Sequence, residues 1–475
     1  MIEMTQRRPL VEALLKFQQQ QPVSFHVPGH KNGLLSTLPD AIRPALAYDV
    51  TELEGLDDLH HPEEAIREAQ ELLAEAYGTE ESFFLVNGST AGNLAMIYAV
   101  CEPGDRIIVQ RNCHKSIFHA LELAAAVPVF LTPTWDEETM TAAGLEALQV
   151  EQALQQYPDA KAVVLTSPNY YGVVQAELEA IIALSHQYEV PVLVDEAHGA
   201  HLRIGGPFPA SALVHGADVV VHSAHKTLPA MTMGSFLHVQ GEMVKPEQLT
   251  KYLRMLQSSS PSYLLMASLD DARAYLHTYT QADHRSFEEK RRLFLEGLSA
   301  IPKLTVVESD DPLKLMLRVE RWSGFQLKEQ LEAEGIYPEL ADAYQVLLVL
   351  PLLKSGQSFP FAEIRSRIKD AVKALASKPR TEWLAAPFQK EMMSEPEYTF
   401  REVSSAGCEW VPWTKAAGRV SAGAVIPYPP GIPLIVPGEV WSTEKLALLM
   451  DNLAFGASIQ GEHRLKEKLL KVMKR

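Results

Sequence analysis

A chain of 475 residues with 47% hydrophobic and 22% charged side chains has the make-up of a folded enzyme. It is long enough for about three domains, with a core that needs no disulfide or metal. Its 43 basic and 60 acidic side chains leave a net charge of −17, which argues against a general binder of nucleic acid or anionic membrane, since either needs a basic surface.

Residues 1–60 are irregular and rich in Pro, Gly and His, and read as an N-terminal arm that packs on another surface. A helix follows, with Pro62 expected at its first position and Gly78 just past its end. Ala65, Ile66, Ala69, Leu72, Leu73 and Ala76 fall three and four apart and give one apolar stripe. Short apolar runs (83–86, 106–109, 128–131, 162–166, 191–194, 218–221) then alternate with helical segments starting near Thr90, His114, Leu145 and Leu178. The runs are continuously apolar, as strands covered on both faces are. Residues 61–290 are therefore predicted to form a large α/β domain with a mainly parallel sheet.

Residues 291–378 change texture, with strands expected at 304–308, 314–319 and 344–350 and a helix from Gly324, a smaller α+β domain. Residues 379–475 begin with a Pro- and aromatic-rich stretch. They go on to Pro427-Tyr428-Pro429-Pro430-Gly431, Pro437-Gly438-Glu439 and a helix over 442–453, a C-terminal domain. Cys101, Cys113 and Cys408 form no spaced framework, which indicates a reducing compartment. The N-terminus lacks a secretory pattern and no apolar run approaches ~18 residues. The expected location is cytoplasmic.

In an α/β sheet, loops at the carboxyl ends of the strands build the site. Three such loops carry chemistry. Asn87-Gly88-Ser89-Thr90-Ala91-Gly92 follows a strand and opens a helix, so exposed amides, the helix dipole and two hydroxyls suit a phosphate; the string suits an ordinary N-cap as well. In Asp195-Glu196-Ala197-His198-Gly199-Ala200-His201, Asp195 ends an apolar strand. The string DEAH also occurs in nucleic-acid-dependent ATPases, but those need G-x-x-x-x-G-K-[ST], and Lys115 and Lys226 both follow histidine. His198 and His201 lack a third ligand at metal spacing, and no metal is expected. Lys226, in Ser223-Ala224-His225-Lys226, lies just past a buried strand. A desolvated lysine there favours an imine with a carbonyl cofactor; a surface loop lysine is the ordinary alternative. Taken together, an anion turn, a strand-end aspartate and a strand-end lysine are what pyridoxal phosphate requires.

The chain resembles the short bacterial form of the fold-type I, pyridoxal-phosphate-dependent ornithine/lysine/arginine decarboxylases. The resemblance rests on His26–Gly33, Leu56–His60, Gly88–Thr90, Arg111–Ser116, Ser167–Gly172, Asp195–His198, Ser223–Lys226, Ser258–Tyr263, Pro427–Pro433 and Pro437–Glu439, in the family's order. It implies that Lys226 holds the cofactor's aldehyde, Asp195 its ring nitrogen, and Ser89, Thr90, Ser223 and His225 its phosphate. His114 stacks on the ring, Ala197 packs beneath it and His198 faces the reacting carbon. A hydroxyl of Ser258 to Ser260, taken as Ser259, reaches a neighbouring subunit's phosphate, which implies at least a homodimer. Residues 379–475 become a C-terminal domain of this family's type.

Departures are Ala91 where larger relatives carry a third hydroxyl, His198 where they often carry an aromatic residue, the missing N-terminal wing domain, and the sequence Thr227–Ala230. The implied reaction is decarboxylation of arginine, lysine or ornithine to the amine, with Asp57, Asp58 and Glu439 as candidates for the distal cation. The competing activities are an aminotransferase or aldolase on the same fold, with Arg401 or Arg419 pinning the α-carboxylate, and a silent cofactor-binding homologue.

Overall fold

The structure is a computed structural model that describes residues 6–380, 391–428, 432–454 and 458–474. In chain order its main elements are α1 (Pro9–Gln19), α2 (Ala65–Tyr77), β1 (Glu81–Leu85), α3 (Gly88–Val100), β2 (Arg106–Gln110), α4 (Lys115–Ala124), β3 (Val127–Leu131), α5 (Ala147–Gln156), β4 (Val163–Thr166), α6 (Leu178–Gln187), β5 (Val192–Asp195), β6 (Val219–His222), α7 (Ala224–Thr227), β7 (Ser235–Val239), α8 (Pro246–Leu256), α9 (Tyr263–His277) and α10 (Gln281–Ser299). Beyond these lie β8 (Leu304–Glu308), β9 (Lys314–Val319), α11 (Gly324–Ala333), β10 (Leu340–Ala341), β11 (Val346–Val349), α12 (Phe361–Ala374), β12 (Met393–Ser394), α13 (Phe400–Ala406), β13 (Cys408–Pro412), β14 (Val425–Tyr428), α14 (Thr443–Ala454), β15 (Ser458–Gly461), β16 (His463–Arg464) and β17 (Leu469–Met473). Of the proline-rich segment near 427–433, residues 429–431 lie outside the described residues, as do 381–390 of the stretch before β12.

Two compact units divide the chain: Met1–Val100 with Leu193–Gly205 and Ala210–Thr280, and Cys101–Val192 with Gly206–Pro209 and Gln281–Arg475. In the first, β5 pairs parallel with β6, β6 antiparallel with β7, and β7 antiparallel with β1. Every residue of β5, β6 and β7 is buried, which is why β5 and β6 read as apolar runs up to their last residue; β7, with Ser235 and His238 among its buried residues, does not read as one. Helix α3 packs on β1 and β6 through Gly92, where an added Cβ would stand 2.7 Å from Leu85 Cδ1 and 3.0 Å from Val221 Cγ1.

Helix α2 shows how local chemistry sets a boundary. Pro62 marks the approach to it, but the helix starts at Ala65. Asp57 supplies the acceptors for its orphan amides: Oδ1 takes the N–H of Glu63, and Oδ2 those of Glu64 and Ile66, at 2.8–2.9 Å. Gly78 closes the helix in the left-handed region, at φ 71°.

In the second unit, β2 pairs parallel with both β3 and β4, and β12 adds antiparallel to β3. A four-stranded antiparallel sheet, in the order β8-β9-β11-β10, follows in the chain. Near the C-terminus β13, β17 and β16 form a small sheet and β14 pairs with β15. This last part closes around Trp441, Ile435, Leu449, Leu470 and Val472, all fully buried or nearly so. Among the described residues no helix is long and apolar enough to cross a membrane.

Candidate active site

The carboxyl ends of β5 and β6 bring the candidate residues of the first unit together. The two strands are neighbours in parallel register, with Asp195 beside Val221. The loop after each strand is tied to the other: the Ser223 N–H donates to the Ala197 carbonyl at 3.3 Å. Asp195 is buried, and its carboxylate accepts from Asn93 Nδ2 at 2.9 Å and from the Ala197 N–H at 3.2 Å. Lys226 sits on the single turn α7, and its Nζ lies 2.9 Å from His198 Nε2. A lysine amine and an imidazole at that separation can share or exchange a proton.

At the start of α3 the chain turns through Gly88, at φ 77°, a conformation that glycine adopts without strain. Ser89 stands on the first turn, and the Ser223 hydroxyl donates to its Oγ at 2.8 Å. Thr90 is exposed beside it. His225 Nδ1 donates to the Gly234 carbonyl at 3.0 Å, which fixes its ring at the start of β7. Ser258, Ser259 and Ser260 are exposed. Their segment is stitched to the same turn, since the Ser258 N–H donates to Asn87 Oδ1 at 3.1 Å and its carbonyl lies 2.7 Å from His60 Nε2.

These groups fit pyridoxal phosphate: a helix start with small residues and hydroxyls for an anion, a buried carboxylate with two donors, and an amine at the end of the neighbouring strand. The last condition is met because Asp195 ends β5 and Lys226 lies just past the adjacent β6.

His114 belongs to the second unit, where it is the N-cap of α4. Its Nδ1 accepts the Ser116 N–H at 3.2 Å and lies 2.8 Å from Ser116 Oγ. Two of the three acids considered for a distal cation are committed elsewhere. Asp57 caps α2. Glu439 is buried and bidentate to Arg111, 2.7 Å on each side, with Lys445 Nζ 3.4 Å away. Burial alone would raise the Glu439 pKa, but Arg111, Lys445 and the Val436 N–H together hold it below the ordinary glutamate value. Asp58 Oδ1 accepts the His60 N–H at 2.8 Å. Of the two arginines considered for an aminotransferase, Arg419 is bound to Glu409 at 2.6 Å and to the Met473 carbonyl at 2.8 Å, and Arg401 is exposed on α13.

Sequence reasoning missed Asn93 and Glu196. Asn93 is a polar residue on the otherwise apolar face of α3, one helical turn after Ser89, and that spacing was the available signal. Glu196 was in view beside Asp195, but its partners, Ser211, Ala212 and His222, lie on later segments.

Comparison with known proteins gives a family model described as Orn/Lys/Arg decarboxylase, major domain, matching residues 8–291, and one described as Orn/Lys/Arg decarboxylase, C-terminal domain, matching residues 380–459. The chain is 46% identical over 475 residues to the uncharacterized protein YaaO of Bacillus subtilis strain 168, with 98% of each chain covered. It is 35% identical over 490 residues to the arginine decarboxylase of the same organism, again with 98% of each covered. In fold it is similar to the constitutive lysine decarboxylase of Escherichia coli, with a TM-score of 0.80 at 20% identity, covering 99% of this chain and 82% of that one.

Proposed function

The chain belongs to the Orn/Lys/Arg decarboxylase family, and from that premise we propose that its substrate is arginine, released as agmatine and CO2. The class is a pyridoxal-phosphate-dependent carboxy-lyase acting on a basic amino acid. The observation that carries the choice of arginine is the 35% identity to an arginine decarboxylase along 98% of both chains.

Pyridoxal phosphate supplies an electron sink for the pair left behind when the carboxylate departs as CO2. The protein's part is assigned residue by residue. Lys226 provides the amine that anchors the aldehyde. Asp195, oriented by Asn93 and the Ala197 amide, would pair with the ring nitrogen. Ser89, Thr90 and Ser223, with the amides that open α3, would take the phosphate, with His225 bordering it, and Ala197 would pack beneath the ring. His198, with Nε2 2.9 Å from the Lys226 amine, would share with it the proton that the α-carbon takes up once CO2 has left.

The reading includes a homodimer or larger assembly, in which Ser259 completes the phosphate site of a neighbour. It is supported by the N-terminal arm, where Val23, Phe25, Val27, Leu34 and Leu35 are 65–93% exposed, more apolar surface in one stretch than a lone chain ordinarily leaves in water. Sedimentation of the purified protein tests this, and a monomer at micromolar concentration overturns it.

The substrate is tested by supplying arginine, lysine and ornithine to the cofactor-loaded protein and identifying the amines by mass. Agmatine is expected, with kcat/KM for arginine at least about tenfold above the other two. Preference for lysine or ornithine refutes the choice of arginine. Turnover undiminished in Lys226→Ala refutes the assigned chemistry.

A further inference from the structure

Directly behind Asp195 and Ser223 lies a second polar pair. Glu196 and His222 are 1% and 0% exposed, with Oε2 and Nε2 2.7 Å apart. Each is the immediate chain neighbour of a site residue, Glu196 following Asp195 and His222 preceding Ser223, so side chains along these two strand ends point alternately toward the site and into the core.

The Glu196 carboxylate is fully engaged. It accepts from His222 Nε2, from the Ser211 hydroxyl and from the Ala212 N–H, the last at 2.9 Å. Gly199 makes room for it, because a Cβ there would stand 2.5 Å from Glu196 Cγ. The His222 ring lies among aromatic neighbours, its centroid 5.1 Å from Tyr77 and 4.9 Å from His238. Tyr77 reaches past it to donate its hydroxyl to the Ala200 carbonyl at 2.6 Å. The pair therefore bolts the end of β5, the end of β6 and the 211–212 segment together in a fully buried environment, where a hydrogen bond is strong and geometrically exacting.

We propose that Glu196 and His222 are positioning residues for the reaction: their bond sets the separation of the two strand ends, and through it the placement of Asp195 against Ser223 and Lys226. The inference rests on the cofactor assignments made above. It adds a requirement that those assignments lack, that the spacing be held from the core side.

The test uses the full-length protein stripped of cofactor and titrated with pyridoxal phosphate, read by quenching of intrinsic fluorescence and by visible circular dichroism of the bound cofactor. Turnover is measured separately. His222→Leu should weaken cofactor binding and lower kcat by about tenfold or more, with KM for the amino acid changed much less. His222→Gln, whose amide N–H can donate from nearly the same position, should restore both to within about threefold of the parent.

His222→Leu strands a buried carboxylate and can reduce folding, so the double variant E196L/H222L is the companion. Removing both members leaves no uncompensated charge, although the Ser211 hydroxyl and the Ala212 N–H lose their acceptor, so its melting temperature is measured alongside; the bolt is gone, and the same losses of affinity and dichroism are expected. A folded double variant that binds cofactor as tightly as the parent, with unchanged dichroism, overturns the proposal. So does failure of His222→Gln to recover while its melting temperature does. These outcomes are independent of the substrate reading, which stands or falls on which amine the unmodified protein releases.

Discussion

Replacing Glu439 by Gln tests the electrostatics of the second unit. Arg111 and Glu439 are 1% and 2% exposed, so their pairing is of the buried kind, in which deleting one partner leaves the other charge uncompensated. The cost of such a deletion is about 3–5 kcal/mol. Gln offers one acceptor to the guanidinium in place of two and turns an amide N–H toward a cation. Lys445, 3.4 Å from the same carboxylate, loses its counter-charge as well. At roughly 2 °C per kcal/mol for a body of this size, the melting temperature should fall by about 6–10 °C.

The pH dependence has a definite sign. The Glu439 pKa is lower in the folded protein than in the unfolded chain, so its contribution is fully present above the unfolded value of about 4.3 and is lost as the pH falls through the folded value. The gap between parent and E439Q in urea melts should be constant from pH 7 to 5 and narrow below about pH 4. A gap under about 1 kcal/mol at pH 7, or one that does not narrow on acidification, refutes the assignment of a stabilising ion pair.

Three further outcomes follow from contacts in the first unit. His198→Asn should lower kcat by about 10²- to 10⁴-fold, the usual worth of a positioned proton donor; a rate within threefold of the parent would remove His198 from the chemistry. Gly92→Ala should destabilise by about 1–3 kcal/mol in urea melts, because the new methyl meets Leu85 and Val221 at 2.7–3.0 Å; unchanged stability would mean that α3 can shift from the sheet at no cost. Asp57→Ala should cost about 1–2 kcal/mol through the lost cap of α2 and leave KM for the amino acid unchanged; a large rise in KM would instead place Asp57 at the substrate.

Much of the fold was legible because α/β strands announce themselves. β5 and β6 read as apolar runs since both faces are covered, and Asp195 and Lys226 stood out as charges at or just past their ends. Boundaries set by side-chain capping were harder. Pro62 looked like the first residue of α2, but the amides that needed acceptors found them in Asp57, and the helix began at Ala65. Pairings across long stretches were not legible at all. Nothing near Glu439 names Arg111 as its partner, and an acidic residue in a proline-glycine turn reads equally as a free acid awaiting a cation. Asn93 lies between these extremes: its helical spacing from Ser89 was visible, but the bond to Asp195 depends on how closely α3 approaches the sheet, and Gly92 decides that.

Arg111 and Glu439 stand 328 residues apart, which gives their bond a consequence in time. A ribosome adding ~5–20 residues per second delivers the guanidinium roughly 15–65 s before the carboxylate. For most of that interval the Arg111 guanidinium lacks its other partners too, Ser394 and the Pro433 and Leu434 carbonyls, and can stay in water. A chain cut anywhere before residue 439 never gains the Glu439 counter-charge, so the closure of the second unit around Arg111 waits for the last quarter of the chain.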